Sequence, residues 1–193
     1  MATDSPTRKE ETHDRIVRTA ARAIRQHGYD GLGVASLMKE AGLTHGGFYA
    51  HFGSKTDLLA EAADRAGAEG IEGLGRLLAA AQPAAALDTL IDAYLSDAHL
   101  AAPEQGCAIA ALGSEVPRQA EPVRRAATQR MKEMADLVER QLPGWRRPGN
   151  DERALAILSC LVGAMVIARA SDDPAFSTAV RQAAGKLARQ AAL

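Results

Sequence analysis

Gly42-Leu43-Thr44-His45-Gly46-Gly47-Phe48-Tyr49-Ala50-His51-Phe52-Gly53-Ser54-Lys55-Thr56-Asp57-Leu58-Leu59 is the stretch that decides the fold. Gly42 ends one short helix, and Thr44 is placed to cap the next through its hydroxyl. Phe48 and Phe52 stand one helical turn apart and turn inward, which leaves Tyr49, His51 and Lys55 outside. Ser54 to Asp57 has a capping-box pattern and starts a further helix with Lys55 in its first turn. A phenol, an imidazole and an ammonium beside a helix start are suited to phosphate oxygens. This is the layout of a helix that lies on DNA.

Working outward, Ile16, Ala20, Ala23, Ile24 and His27 fall on one stripe, so a first helix is predicted over 10–27 with Gly28 as its stop. A second, over 34–41, turns Leu37 and Met38 inward. Two short helices around a glycine-containing turn make a helix-turn-helix, whose second member, here 45–52, enters the major groove. Thr44, Tyr49, His51 and Lys55 then face the phosphates. Base reading falls to His45, because Gly46 and Gly47 bring only backbone to the groove and Ala50 only a methyl. Arg8 and Lys9 form an amino-terminal arm able to reach the DNA. The arginine face formed by Arg15, Arg18, Arg22 and Arg25 reads as solvated.

Across the whole chain, 193 residues carry a formal net charge of −1, so any attraction to nucleic acid must be local. Between Arg8 and Arg25 six basic residues face three acidic ones, and the positive charge gathers at the amino end. With 47% hydrophobic but 4% aromatic residues, and alanine and leucine abundant, the composition suits helices, so an all-α protein of about nine helices is expected. Further helices are predicted over 54–80, 83–100, 107–116, 121–142, 151–170 and 174–192, with the domain boundary near residue 60: a helix-turn-helix domain of three helices over 1–60 and a helical domain over 61–193. The glycines 67, 70, 73 and 75 make the 54–80 helix the weakest expected, and either a bendable connector or a closely packed one. Cys107 and Cys160 are too few for a disulfide framework or a zinc site, no metal or cofactor is expected, and a reducing, cytoplasmic setting is the simpler reading. The start is polar rather than signal-like. The apolar run 154–168 falls short of a membrane span and is expected to be a buried helix.

Gly42 to Leu59 resembles the signature of the tetracycline-repressor (TetR) family, with its Gly, Tyr-x-His-Phe core, Ser-Lys and Leu-Leu at these spacings. The resemblance covers about the first 60 residues. It implies a homodimer that binds a palindromic double-stranded DNA operator and represses transcription until a small-molecule effector binds. It also implies backbone contacts from Thr44, Tyr49, His51 and Lys55 and base reading at His45, Gly46 and Gly47. Two features depart from the pattern: Gly33 stands where a threonine usually caps the second helix, and the paired glycines replace readout side chains.

Ser159 and Gly163 are small residues on the apolar 151–170 helix, and Phe176, Val180, Ala184 and Leu187 form a stripe on the last one. Together with Ile167 they are the expected dimer surface, alternatively internal core. The helices between should enclose the effector, with Tyr94, His99, Cys107, Glu115, Met131, Met134, Trp145 and Met165 as candidate contacts. Methionines and aromatics at helical spacing also serve simply as core. Residues 106–115 resemble a segment found in a subset of the family, some of whose members sense electrophiles through a cysteine; a small buried cysteine is the other reading of Cys107. An enzyme finds little support, since the five histidines are scattered and neither a nucleophile elbow nor a phosphate-cradling loop is present. A helical binding protein without DNA contact is the remaining alternative.

Overall fold

In the computed structural model, which describes residues 7–144 and 147–192, the chain is helical and the described residues contain no strand. Helix α1 spans Arg8–His27 and begins two residues before the predicted start. The reason is a capping box that the sequence reading missed. The Thr7 amide donates to the Glu10 carboxylate at 2.7 Å, and the Glu10 amide donates to the Thr7 hydroxyl at 3.3 Å. Arg8 and Lys9 therefore stand in an ordered first turn of α1, not on a separate arm. Helix α2 (Val34–Glu40) follows Gly33, which supplies no side-chain cap, as that departure foretold.

The recognition segment His45–Ala50 is a 3-10 helix rather than a regular α-helix. Thr44 does not cap it with its hydroxyl; the Gly47 amide instead bonds the Thr44 carbonyl at 3.0 Å. Helix α3 spans Lys55–Ala79 in one piece. At its start the Ser54 hydroxyl accepts from the Asp57 amide at 3.1 Å, so only the hydroxyl half of the predicted box forms.

The helix predicted over 83–100 is broken in two, α4 (Ala86–Tyr94) and α5 (Asp97–Ala101), because the Ser96 hydroxyl caps a new start by accepting from the His99 amide at 3.1 Å. Helix α6 (Ala108–Leu112) is short and ends at Gly113. Helices α7 (Glu121–Glu139), α8 (Asn150–Ala170) and α9 (Pro174–Ala191) complete the chain, and Asp173 caps α9 by accepting from Ala175 and Phe176 amides.

Two apolar clusters hold these helices. The first joins Ile16, Ile24, Met38, Phe48, Phe52 and Leu58 to Ala66, Leu112, Val116 and Val123, so it runs along α3 beyond residue 60 and draws in α6 and α7. The second gathers Ile91, Tyr94, Met134, Ile157, Leu161 and Met165 with α9. Helix α3 passes close to α7 at Gly67, where an added Cβ would lie 2.5 Å from the Arg130 Cβ; that glycine is there for close approach. Gly73 and Gly75 have open space instead. At 21 residues, α8 is long and apolar enough to cross a membrane by length and composition, more than the 154–168 run alone suggested. Here it packs against α7 and α9, with Ile157, Leu161 and Met165 fully buried.

Candidate nucleic-acid interface and ligand cavity

Phe48 and Phe52 are 2% and 3% exposed and stack on one another with ring centres 5.5 Å apart, anchoring the recognition segment to the first cluster. Tyr49, between them, is 70% exposed. Its ring stands edge-on to Phe48 at 5.2 Å, and its hydroxyl, without a hydrogen-bond partner among the described residues, is open to an external acceptor. His45 is exposed and edge-on to Tyr49 at 6.4 Å, Gly46 is exposed, and Thr44 is exposed with its hydroxyl uncommitted. Lys55 is the exposed first residue of α3, so its ammonium sits beside that helix's positive end.

His51 lies against α1. Its ring is 5.9 Å from that of His13, which itself stacks on Phe52 at 4.6 Å and bonds the Glu61 carboxylate at 2.6 Å. The His51 Nδ1 is buried without a partner. Burial first, then the charges of His13 and Lys9, push the His51 imidazole below its ordinary pKa, which keeps it neutral near pH 7. His13 thus brings the amino-terminal half of α1 against the recognition segment. Seven of the nine expected DNA contacts fall within residues 44–55, and the other two, Arg8 and Lys9, stand in the first turn of α1.

Arg25 is not the solvated residue the sequence suggested. It is 6% exposed, donating to the Ala66 carbonyl at 2.9 Å and the Glu69 carboxylate at 2.7 Å, while its Nε has no partner. A guanidinium is buried here because α3 presents a carbonyl and a carboxylate to it. Arg15 and Arg22 are exposed as expected, and Arg18 pairs with Asp14 at 3.0 Å.

A cavity of about 290 Å³ opens between α3 and α5, bounded by Glu69, Gly73, Tyr94, His99, Gln105 and Cys107 among others. The Tyr94 hydroxyl is buried without a hydrogen-bond partner, and burial, with the neighbouring Cys107, pushes its pKa well above the usual value. His99 uses both ring nitrogens: Nδ1–H donates to the Tyr94 carbonyl at 2.5 Å, and Nε2 accepts from the Cys107 amide at 3.0 Å. Burial lowers its pKa, and the imidazole is neutral. It is therefore a clasp that holds α4 to the start of α6. Cys107 is 5% exposed and also borders a second, smaller space lined by Tyr29, Met131 and Met134.

Two of the expected effector contacts lie elsewhere. Met165 is fully buried in the second cluster and borders none of the described cavities. Glu115 turns toward the DNA-binding half, where its carboxylate accepts from the Tyr29 amide at 2.9 Å just past the end of α1. That bond requires Gly28, whose φ is +77° and whose added Cβ would fall 2.7 Å from a Glu115 oxygen. Trp145 lies outside the described residues. What the sequence reading missed, Glu69 and the Arg25 partner that holds it, carries no motif; only the packing of α1 on α3 reveals it.

On α8 and α9 large apolar side chains face outward: Leu155 54%, Val166 42%, Ile167 48%, Phe176 52% and Leu187 57% exposed. Ser159 is exposed beside them, Gly163 and Val180 are half-buried, and Ala184 is buried within the chain.

Residues 16–62 match the model of the bacterial regulatory proteins of the tetR family, and residues 83–183 match that of the LmrA/YxaF-like transcriptional-regulator C-terminal domain. The chain belongs to the TetR family. Relatives of this TetR-family protein include an HTH-type transcriptional regulator of Mycobacterium tuberculosis, 31% identical over 170 residues, which are 83% of this chain and 85% of that protein. The HTH-type transcriptional regulator LmrA of Bacillus subtilis is 26% identical over 158 residues, 81% of this chain and 82% of its own. Among solved structures, the TetR-family regulator of Cytophaga hutchinsonii superposes with a TM-score of 0.79 at 18% identity, covering 97% of this chain and 98% of that one. The reduced form of Escherichia coli NemR does so at 0.74 and 19%, covering 93% and 96%. The chain is a helix-turn-helix transcriptional regulator, in a family that typically dimerises and responds to effectors.

Proposed function

We propose that the protein is a homodimeric repressor that holds a palindromic operator through the 44–55 segment and is released when a small molecule enters the cavity between α3 and α5. The observation that carries this reading is Tyr49, displayed on a buried Phe48–Phe52 frame beside Lys55 and His51. Thr44, Tyr49, His51, Lys55, Arg8 and Lys9 take the phosphates, and His45 with the Gly46–Gly47 backbone lies in the major groove. Readout through side chains is sparse, so DNA shape carries part of the specificity. The protein is not an enzyme, works in the cytoplasm, and divides near residue 60 into DNA-binding and regulatory parts that share α3.

A two-fold operator needs a two-fold protein. The outward apolar residues on α8 and α9 support a four-helix interface made by two copies, each half-exposed side chain contributing about 1 kcal/mol when covered. Ile167, Phe176 and Leu187 form its centre, with Ser159 and Gly163 allowing close approach. Phe176→Asp with Leu187→Asp should give a monomer by sedimentation.

Selection from a random duplex pool, followed by binding measurements from about 50 to 200 mM salt, tests the DNA reading. The expected winner is palindromic with a steep salt slope. No enrichment would refute it in favour of a binding protein without DNA contact.

A further inference from the structure

We infer that the cavity between α3 and α5 takes a small organic cation whose charge is met by Glu69, and that the cation releases DNA by drawing Glu69 away from Arg25. This deepens the proposed function and rests on its reading of the chain as an effector-released DNA-binding protein. At about 290 Å³ the cavity is at the small end of ligand pockets, the scale of one substituted ring. Glu69 is the charged side chain on its wall; His99, also there, is neutral with both nitrogens engaged. A carboxylate facing a largely apolar space favours a positive ligand, because an opposite charge offsets the loss of water around both. Tyr94 lines the same wall, while its hydroxyl is itself buried beside Cys107 and does not open on the cavity.

Glu69 is already engaged, and that is what makes the site regulatory. Its carboxylate is the charged partner of Arg25 at 2.7 Å, and the Arg25 side chain is 4% exposed, with the Ala66 carbonyl its one other partner among the described residues. A cation in the cavity leaves two positive groups competing for one carboxylate. Arg25 deprived of Glu69 regains a favourable environment only by reaching water, which separates α1 from α3. Helix α1 carries His13 against His51 and Phe52, with ring centres 5.9 Å and 4.6 Å apart, so its movement disturbs the DNA-contacting surface. By reciprocity, operator binding holds α1 on α3 and weakens the cation.

The test uses the full chain and three cations, benzylammonium, benzamidinium and benzyltrimethylammonium, against benzyl alcohol and phenylacetate. Two readings are taken: thermal midpoint without DNA, and operator affinity by fluorescence anisotropy. At least one cation should raise the midpoint and weaken operator binding fivefold or more, while the neutral and anionic compounds do neither. Gly73→Leu, placed where an added Cβ meets nothing within 4 Å, should fill the cavity, bind operator like the wild type and lose both responses. The assignment is overturned if no cation shifts the midpoint, if benzyl alcohol or phenylacetate acts as well, or if Gly73→Leu still responds. Failure to bind any operator would instead overturn the regulator reading and its release step, since the midpoint shift, read without DNA, decides the cation site separately.

Discussion

Replacing Gly28 by alanine tests the joint between the DNA-binding and regulatory halves. The substitution forces an L side chain into φ +77° and drives its Cβ to within 2.7 Å and 2.8 Å of the two Glu115 carboxylate oxygens. The dihedral, φ +77° with ψ 171°, costs about 1–3 kcal/mol, and expulsion of the carboxylate loses a charged hydrogen bond to the Tyr29 amide, about 1.5–3 kcal/mol more. The expected loss is about 2.5–6 kcal/mol. With an m-value of about 2 kcal/mol/M, the urea midpoint at fixed protein concentration falls by about 1.2–3 M. Glu115→Ala alone removes the bond and costs about 1.5–3 kcal/mol. In the Glu115→Ala background nothing remains for the new Cβ to strike, so Gly28→Ala there costs only the dihedral, and the double variant falls short of additivity by about 1.5–3 kcal/mol. Strict additivity, or a loss below about 1 kcal/mol for Gly28→Ala, would refute the reasoning.

Tyr49→Phe and Lys55→Ala should each leave the thermal midpoint unchanged, since both side chains are exposed, and weaken operator binding about tenfold, with Lys55→Ala reducing the salt slope by about 1; a changed midpoint with unchanged binding would contradict this. Burial holds the His99 pKa below 6.5, so the unfolded chain binds more protons between that lowered value and 6.5, and stability present above pH 6.5 is lost as pH falls through the lowered value. Urea midpoints from pH 8 to 5 should show that fall, and His99→Gln, which does not titrate, should reduce it, leaving the part that belongs to His51. Gly73→Ala and Gly75→Ala should stabilise by about 0.5–1 kcal/mol, whereas Gly67→Ala should destabilise by about 1–3 kcal/mol because its Cβ overlaps Arg130; equal effects at the three sites by calorimetry would show that helix propensity alone governs α3.

The all-α fold and the recognition segment were legible in the sequence because both depend on local chemistry. Periodicity places Ile16, Ile24, Phe48 and Phe52 inward, glycines stop helices, and the spacing leaves Tyr49 and Lys55 outside, whereas His51, also expected there, is drawn against His13 of α1. Even the capping box at Thr7 and Glu10 was there to be read, as a Thr-x-x-Glu pattern before a helix. Three things depended on residues far apart in the chain. Arg25 reads as one more exposed arginine until α3 brings Ala66 and Glu69 to it. Glu115 reads as a pocket acid until the fold carries it 86 residues back to the Tyr29 amide. Methionine and aromatic content could not separate cavity wall from core, because both are apolar and only packing distinguishes Tyr94 beside a cavity from Met165 without one. Local pattern determines which elements form and which face is dry; the partner of a buried charge is a long-range choice, made only when the helices close on one another.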